Sequence, residues 1–554
     1  MRAADRVTEL TGRFTSPEVN VALLLCDRHP ADRVAFTVVD AAGGRSVLTF
    51  GQLAANSHRY ARALQELGVG PGDRVATLMG KSTELVTVIL ALWRLGAVYV
   101  PLFTAFAPQA IAMRLEGSGA RVVIVDPDQR YKLDPGPDMP DDPQRRILVA
   151  GTARFGDDVM LSDLIAAASP EPGPAVAVGG EGPLVHMFTS GTTGKPKGVI
   201  HPVSYLAGWQ VYLEYAQAVP QDGSYWCAAD PGWAYGLYAA IIAPMVVGIP
   251  SLLLAGGFSV EKTWRTLVDH AVTDFAAAPT VYRQLRTSSV PVPRGLCLER
   301  ASSAGEPLTP EINEWTRRAL GLEVHDHFGQ TEIGMTLANH HHAELARPIK
   351  TGSMGRPLPG WSLTVLAEER DEPAGTGVLG RIAIDVASPL MTFRNYQTPG
   401  QSASKFTADG RWYLTGDTGS VDADGDFFFT SRDDDVIIMA GYRIGPFEIE
   451  SVLAQHPDVA ECSVIAAPDE ARGEVIEAYV VVRKGSAASP ELAAELQEWV
   501  KTRYAAHAYP RAIHFIEGLP KTPSGKTQRY LLRSRDEPNS PTEMDSDRHG
   551  PRPH

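Results

Sequence analysis

The feature that most constrains the fold of this chain is an alternation of short apolar runs with amphipathic segments over roughly its first four hundred residues. Residues 50–67 have the apolar spacing of a helix, and residues 73–79 form an apolar run typical of a buried strand. Ser82 is placed to cap a second helix that ends near Leu95 and is closed by Gly96. Because similar pairs recur along the chain, the sequence predicts parallel sheets covered by helices on both faces.

The pattern changes after about residue 350, where short strands and turns replace the alternation. Past Arg432 the chain has the mixed strand and helix pattern of a compact α+β unit, and its last residues are rich in Pro, Ser, Asp and His. The predicted fold class is therefore a large α/β N-terminal domain with a small β-rich subdomain, followed by a small α+β C-terminal domain. The predicted regions are residues 1–432, residues 433–534 and a disordered tail at 535–554.

Composition narrows the class of protein. Hydrophobic residues make up 44% of the 554 residues, which is enough for large cores, and the net charge of -14 argues against a nucleic-acid partner. The four cysteines lie far apart in the sequence and form no CxxC pair. This spacing indicates a reducing, cytoplasmic setting rather than a disulfide framework.

One apolar stretch, residues 235–258, carries no charged side chain and is long enough to cross a bilayer. Pro244, Gly248 and Pro250 interrupt it. We therefore predict a buried helix followed by a buried strand, and no membrane span.

A dense run of small hydroxyl residues, glycines and lysines follows an apolar run that ends near Phe188. Backbone N–H groups in such a loop can approach phosphate oxygens closely, and the hydroxyl and ammonium groups add further donors. The GxxxxGK[ST] pattern of a Walker A loop is absent. The residues predicted to bind phosphate are Thr189, Ser190, Gly191, Thr192, Thr193, Gly194, Lys195 and Lys197.

This loop resembles the phosphate-loop signature of the adenylate-forming enzymes, and further motifs of that superfamily follow in the same order. They are GEP at 305–307, HFGQTE at 327–332, TGD at 415–417, SRDDD at 431–435, GYRIGPFEIE at 441–450 and PKTPSGK at 520–526. The resemblance spans roughly residues 20–533. The GYRIGPFEIE run is most similar to acyl-CoA synthetases of the acetyl and medium-chain group.

The resemblance implies an AMP-forming ligase with ATP, a carboxylic acid and coenzyme A as substrates. The acid would first become an acyl-adenylate, and the acyl group would then pass to coenzyme A. A free-standing adenylation enzyme that loads a carrier protein is the main alternative. A luciferase-like oxygenase and a nucleotide-binding module without activity are further alternatives, and a pure binding module would not need the lysine of the PKTPSGK motif.

The resemblance also implies roles for single residues in the large domain, which would be the AMP-binding domain. Thr331 and Glu332 would act in catalysis, with Thr331 on phosphate and Glu332 on the magnesium ion bound by ATP, since a hard cation prefers oxygen ligands. Asp417 would accept hydrogen bonds from the ribose hydroxyls. The remaining residues implied to contact the nucleotide are Gly305, Glu306, Pro307, Asp326, His327, Phe328, Gly329, Gln330 and Arg432.

In the small domain, which the resemblance implies to be mobile, Asp434 matches the hinge position. Lys526 matches the catalytic lysine of the first half-reaction, which also contacts the nucleotide, and acylation of its amine would switch the enzyme off. The residues implied to face coenzyme A in the second half-reaction are Gly441, Tyr442 and Arg443.

The acid pocket is implied to include Trp233, Ala234, Tyr235 and Gly329. Acetyl-CoA synthetases have a tryptophan immediately before the Gln-Thr-Glu run, where this chain has Gly329. The loss of that indole predicts a deeper pocket and a preference for acids longer than propionate, with butyrate to octanoate or a small aryl acid favoured. A second interpretation is that Gly329 serves backbone geometry.

Overall fold

The structure is a computed structural model that describes residues 2–151, 154, 158–189, 197–398, 400, 402–433, 435–439, 442–469, 473–504, 508–522 and 526–533. At positions 403, 438, 442, 443 and 473 the backbone is described without the side chain. Of the predicted site residues, those at 190–195, 434 and 441 lie outside the described residues, as does the predicted tail. The chain divides into two compact units, Met1–Phe429 and Thr430–His554.

The first half of the large unit contains nine strands and five α-helices within the described residues. The strands are β1 (Val34–Val39), β2 (Arg45–Thr49), β3 (Arg74–Leu78), β4 (Val98–Pro101), β5 (Val122–Val125), β6 (Arg146–Val149), β7 (Val159–Met160), β8 (Pro183–Thr189) and β9 (Lys197–Pro202). The helices are α1 (Ala3–Thr15), α2 (Phe50–Glu66), α3 (Thr83–Arg94), α4 (Pro108–Ser118) and α5 (Leu161–Ala167).

The second half of this unit continues the alternation and then changes to strands alone. The strands are β10 (Tyr225–Cys227), β11 (Ser251–Leu254), β12 (Asp274–Ala277), β13 (Arg300–Ala304), β14 (Val324–Gln330), β15 (Gly334–Ala338), β16 (Ser353–Pro357), β17 (Leu363–Leu366), β18 (Gly380–Asp385), β19 (Trp412–Val421) and β20 (Phe427–Arg432). The helices are α6 (Leu206–Val211), α7 (Ala234–Gly236), α8 (Ala243–Val247), α9 (Val260–Asp269), α10 (Pro279–Thr287) and α11 (Pro310–Ala319).

Two sheets organise the large unit. One has the strand order β7-β6-β5-β3-β4-β8-β9 and is parallel from β7 to β8, with β9 antiparallel to β8. The other has the order β17-β18-β19-β20-β16-β15-β14-β13-β12-β10-β11-β1-β2 and is parallel from β14 to β1. The strands from β15 to β20 extend it in antiparallel fashion. The predicted parallel sheets and β-rich part are therefore both present.

Local sequence signals explain where the early helices begin and end. The Ser82 side chain accepts a hydrogen bond from the Leu85 N–H at the start of α3, and Gly96 follows its end with φ +69°. Thr49 and Gln52 form a reciprocal capping box at the start of α2. The predicted cap at Ser82 is confirmed.

The uncharged stretch 235–258 is folded as predicted, with buried helical turns through α7 and α8 and then the fully buried strand β11. Gly248 ends α8 in the left-handed region, with φ +80°. Along the part of the chain that the structure describes, no helix combines the length and apolar character that crossing a membrane requires.

The small unit is an α+β fold. Its strands are β21 (Ile437–Met439), β22 (Tyr442–Ile444), β23 (Val459–Asp469), β24 (Gly473–Val482) and β25 (Ala512–Phe515), in the order β22-β21-β24-β23 with β25 beside β24. Its helices are α12 (Pro446–Leu453), α13 (Pro490–Arg503) and α14 (Arg529–Arg533). Leu453, Leu496 and Val500 belong to the buried core that joins its sheet and helices.

Candidate active site

The Gln-Thr-Glu run lies at the turn between β14 and β15. β14 ends at Gln330, and β15 begins at Gly334, whose φ of +74° is accessible to glycine but disfavoured for other residues. β14 is parallel to β13, so the GEP motif that follows β13 and this turn lie at the same edge of the sheet. Ligands of open α/β sheets bind at that edge, outside the carboxyl ends of the strands.

The Gln330 side chain joins this turn to the TGD motif on β19. Its amide nitrogen donates to a carboxylate oxygen of Asp417 at 2.7 Å and to the carbonyl of Thr415 at 2.8 Å. Its amide oxygen accepts from the Tyr413 hydroxyl at 3.0 Å. Asp417 is 3% exposed, and its carboxylate therefore has a defined orientation in a largely dry environment.

The backbone of Thr331 is held by two buried aromatic residues. The carbonyl oxygen of Thr331 accepts from the Tyr205 hydroxyl at 3.0 Å and lies 2.7 Å from Nε2 of His201. Because a carbonyl oxygen can only accept, this nitrogen carries the proton. Burial lowers the pKa of His201 to about 3, so the ring stays neutral while it fixes the turn.

The Glu332 carboxylate is buried and has one oxygen engaged. Oε1 accepts from the Tyr396 hydroxyl at 2.6 Å, whereas Oε2 has no hydrogen-bond partner among the described residues. The Lys197 ammonium lies 5.0 Å from the centroid of the Tyr396 ring. Tyr396 therefore connects the predicted magnesium ligand with the end of the predicted phosphate loop.

The phosphate loop itself connects two paired strands. Thr189, the last residue of β8, is the register partner of Lys197, the first residue of β9. Antiparallel pairing brings both ends of the loop together at the end of the hairpin. The intervening residues 190–196 lie outside the described part of the chain.

The GEP motif follows β13 in an extended turn. Gly305 has φ +99° and is exposed, and Pro307 is half-buried. The Glu306 carboxylate accepts from the Thr280 hydroxyl at 2.9 and 3.0 Å and from the Arg283 guanidinium at 2.5 Å. Glu306 thus holds this turn against α10, so the backbone is the part of the motif best placed to contact a nucleotide.

Asp326 and His327, which the sequence predicts on the adenine side, are both buried in β14. Burial raises the pKa of the Asp326 carboxyl and lowers the pKa of His327 well below its usual range. The Oδ1 atom of Asp326 has no hydrogen-bond partner within the described part of the chain. The backbone N–H groups of Leu308 and His327 lower the pKa of this carboxyl against the larger effect of burial.

Trp233, Ala234 and Tyr235 are half-buried, although the helical turns after them are almost entirely buried. The Trp233 ring packs against Phe103 and Phe106, with centroids 5.5 and 5.4 Å away. This limited exposure inside an otherwise buried region is what residues of a recessed pocket would show.

Gly329 is a glycine for a reason that the sequence did not reveal. A β-carbon at this position would lie 2.3 Å from the carbonyl oxygen of Gly334 and 2.8 Å from the Cα of Met335, where β15 approaches β14 at an irregular register. The φ angle of Gly329 is not positive. Glycine is therefore required here because β15 approaches closely, and not because the backbone is left-handed. A side chain there would start against β15, and the deeper acid pocket that the missing indole implies stays a prediction. Its place in the acid pocket stays a prediction.

We expect Gly329→Ala to lower the free energy of unfolding by about 1–3 kcal/mol, the usual cost of forcing an extra carbon into a packed site. Urea unfolding of the variant and of the unmodified enzyme measures the difference. Gly257→Ala is the matched control, because a β-carbon at Gly257 meets nothing within 4 Å. Equal stability of the Gly329 and Gly257 variants would contradict the steric explanation.

The predicted site residues of the small unit are described in part. Lys526 is exposed, and its backbone N–H donates to the Thr522 hydroxyl at 3.1 Å. Arg432 is half-buried at the end of β20, and the backbone of Tyr442 and Arg443 lies in β22.

Asp435, next to the predicted hinge, is bound firmly within the small unit. It accepts from Arg529 at 3.0 Å and from Arg533 at 2.7 Å, and Arg529 also donates to Glu450 at 2.8 Å. Lys521 pairs with Glu461 at 2.7 Å on the other side of the loop. These ion pairs fasten both ends of the Lys526 loop to the body of the unit.

Among the described residues, three carboxylates lie close enough together to share a cation, those of Asp422, Asp424 and Asp426. The Lys350 ammonium lies 2.6, 2.6 and 3.0 Å from these carboxylates and already supplies a positive charge. This cluster lies in the turn between β19 and β20, and it does not include Glu332.

The geometry gathers four sequence motifs of the large unit around one sheet edge, and comparison with known proteins identifies their family. Residues 25–396 match the family described as AMP-binding enzyme, and residues 448–526 match the AMP-binding enzyme C-terminal domain. The chain belongs to the AMP-binding enzyme family.

Relatives and solved structures of this family match almost the whole chain. An acetyl-coenzyme A synthetase from Bacillus subtilis is 34% identical over 531 residues, covering 93% of this chain and 90% of the relative. The mitochondrial acyl-coenzyme A synthetase ACSM3 of Mus musculus is 33% identical over 510 residues, covering 91% and 86%. A crystal structure of an anthranilate CoA ligase in complex with anthranoyl-AMP has a TM-score of 0.85 and 26% identity, covering 97% and 99%.

These findings confirm the predicted superfamily, the α/β fold class and the enzyme class of AMP-forming carboxylate–CoA ligases. Sequence reasoning missed the residues that orient the site, namely Tyr396, Tyr413, His201 and Tyr205. Their hydrogen bonds reach residues 64 to 130 positions away, and no local motif marks them.

Proposed function

We propose that this AMP-binding enzyme converts a short- to medium-chain carboxylic acid into its acyl-adenylate with ATP and then transfers the acyl group to coenzyme A, releasing pyrophosphate and AMP. One observation carries the proposal, the connected set of side chains in the large unit. Gln330 bonds Asp417, while Glu332 bonds Tyr396, which lies beside Lys197. These contacts bring three groups to one edge of the sheet. They are a carboxylate for the ribose, a carboxylate for a cation and an ammonium group for phosphate.

The direct test incubates the purified enzyme with ATP, magnesium and an acid, and measures acid-dependent release of pyrophosphate. Coenzyme A or a holo-carrier protein is then added, and the acyl product is identified by mass spectrometry. We expect acyl-CoA. Acyl-carrier product alone would support the carrier-loading alternative, and the absence of any acid-dependent pyrophosphate would contradict both.

The first half-reaction needs no protein nucleophile. A carboxylate oxygen of the acid attacks the α-phosphorus of ATP, the bond from that phosphorus to the bridging oxygen of the β-phosphate breaks, and pyrophosphate leaves. Positioning and stabilisation of negative charge supply the rate enhancement in phosphoryl and nucleotidyl transfer. In the second half-reaction the coenzyme A thiol loses its proton and attacks the acyl carbon, and AMP leaves with the electron pair.

The phosphate groups would lie along the loop from Thr189 to Lys197, with the Thr331 hydroxyl as a further donor. Glu332 fits a magnesium ligand, because its Oε2 is left without a partner while Tyr396 holds Oε1. A magnesium ion bound there with ATP would neutralise phosphate charge. We assign Lys197 to charge neutralisation at the end of the loop.

The nucleoside would be held by Asp417 and by residues of β14. An ionised carboxylate can accept hydrogen bonds from two ribose hydroxyls while Gln330 keeps it oriented. Asp326 would lie on the adenine side. Residues 305–307 and 327–330 would complete the adenine side through backbone contacts and packing, and Arg432 would contact the nucleotide from the end of β20.

The small unit would supply the residues that change between the half-reactions. We assign Asp434 as the hinge, Lys526 as the cation of adenylation, and Gly441, Tyr442 and Arg443 as the face for coenzyme A. Acylation of Lys526 would remove its charge and stop the first half-reaction. A cytoplasmic location follows from the cysteine pattern and stays a prediction.

For the acid we expect a catalytic efficiency with octanoate at least about tenfold higher than with acetate, since each buried methylene contributes about 0.8 kcal/mol and 1.4 kcal/mol is one decade. A panel from acetate to decanoate with benzoate, scored by AMP release, measures this. Gly329→Trp is a poor test, because its β-carbon would collide with β15. An unmodified enzyme that prefers acetate would contradict the expectation.

A further inference from the structure

A chain of hydrogen bonds runs inward from Tyr235. The Tyr235 hydroxyl lies 2.9 Å from the Tyr212 hydroxyl. The Tyr212 oxygen also lies 2.9 Å from Nδ1 of His327 and 2.7 Å from the amide nitrogen of Gln217. Nε2 of His327 lies 3.3 Å from the backbone carbonyl of Asn339. Tyr212, Gln217 and His327 are buried, and Tyr235 is the one of the four side chains that is half-buried.

The direction of these hydrogen bonds is set at the buried end. The carbonyl of Asn339 can only accept, so Nε2 of His327 carries the proton. Burial keeps the pKa of His327 well below its usual range, and the neutral ring has a single N–H. Nδ1 is therefore an acceptor, and the Tyr212 hydroxyl donates to it.

The same reasoning fixes the next link. A tyrosine oxygen has one proton and two lone pairs. The proton of Tyr212 is committed to His327, and the amide of Gln217 donates to one lone pair. The remaining lone pair of Tyr212 receives the proton of Tyr235. The Tyr235 oxygen then has no proton left, and only a long contact of 3.4 Å with the Gln217 amide reaches it.

We propose that Tyr235 is a specificity-determining residue that selects acids carrying a hydroxyl or amino donor at the depth of its oxygen. The inference rests on the proposed function, because it takes Tyr235 as a wall of the acid pocket. A hydroxyl or amino group of the acid would donate to the Tyr235 oxygen. A keto, ether or fluoro group at the same place would meet a lone pair with no proton between them.

The experiment uses two sets of acids and the complete enzyme. One set is benzoates that carry a hydroxyl, amino or fluoro group at each ring position, and the other is straight-chain acids with a hydroxyl or keto group at each carbon. The quantity measured is the ratio of kcat/KM for the donor acid to that for the acceptor acid, from AMP release. We expect a ratio of about ten at one position or more, the value of roughly one hydrogen bond.

Three variants separate selection from folding. Tyr235→Phe should bring the ratio at that position to about one, and because the ratio is internal to each variant, any loss of folded enzyme cancels. Tyr212→Phe removes the acceptor of the Tyr235 proton, so that proton can turn to the substrate and the ratio should fall below one. Tyr215→Phe, a buried tyrosine outside the chain of hydrogen bonds, should keep the ratio of the unmodified enzyme.

The outcomes are distinguishable. An enzyme that activates these acids without favouring the donor at any position overturns the inference and leaves the proposed function standing. An unchanged ratio in Tyr235→Phe does the same, and this variant decides alone if Tyr212→Phe fails to fold. An enzyme that activates octanoate but none of these acids overturns the inference alone, and an enzyme that activates neither octanoate nor any of these acids overturns the proposed function and the inference with it.

Discussion

Lys526→Ala is expected to reduce acyl-adenylate formation by about a hundred- to a thousandfold, the usual loss when one preorganised charge donor is removed from a transition state. The loop that carries Lys526 is fastened by the Lys521–Glu461 pair before it and by the ion pairs of Arg529 after it. The described residues on either side of this loop are thereby joined to the body of the small unit. Release of acid-dependent pyrophosphate measures the first half-reaction, and thioester formation from supplied acyl-adenylate measures the second.

The second half-reaction of Lys526→Ala should stay near its normal rate, because the amine acts on charge that develops only during adenylation. Lys501→Ala is the matched control, a lysine in the same unit that pairs with Glu498 at 3.1 Å on the exposed side of α13. It should leave both half-reactions unchanged. Equal damage to both half-reactions in Lys526→Ala would refute the assignment.

Asp434→Pro is expected to have the reverse effect. Proline fixes φ, and a hinge residue must absorb a change of backbone dihedral angles when the small unit turns between half-reactions. Adenylation should survive, while acyl transfer to coenzyme A should fall by at least about tenfold. The same pair of assays measures both steps.

Asp434→Ala serves as its control, since alanine leaves φ free and should preserve both steps. The neighbouring Asp435 is unsuited to this purpose, because its carboxylate binds Arg529 and Arg533 and its loss would loosen α14. If Asp434→Pro runs both half-reactions at the normal rate, residue 434 is not the pivot.

The sequence predicted most of the fold because the signals involved are local. The cap at Ser82, the glycine after α3 and the apolar runs of the strands depend on neighbours within a few residues. The order of strand and helix then implied parallel sheets, and parallel sheets place strand ends at one edge. That rule alone placed the Gln-Thr-Glu run at the edge where it lies.

Only the tertiary structure decided how the site is held together. Tyr396 and Glu332 are 64 residues apart, and Gln330 and Asp417 are 87 apart. No periodicity encodes such partners, because they depend on which strands are adjacent and how their side chains pack.

Gly329 shows the same difference between what the sequence predicts and what the tertiary structure decides. The HFGQTE motif around Gly329 is evident in the sequence, and the absence of a tryptophan at this position predicts a larger acid pocket. The structure shows that β15 lies within 2.3 Å of any β-carbon at this position.

The sequence by itself thus determined the fold class, the chemistry and the edge of the sheet where this chemistry occurs. The tertiary structure decided the orientation and hydrogen-bond polarity of the site, because these are set by contacts between residues distant in the chain.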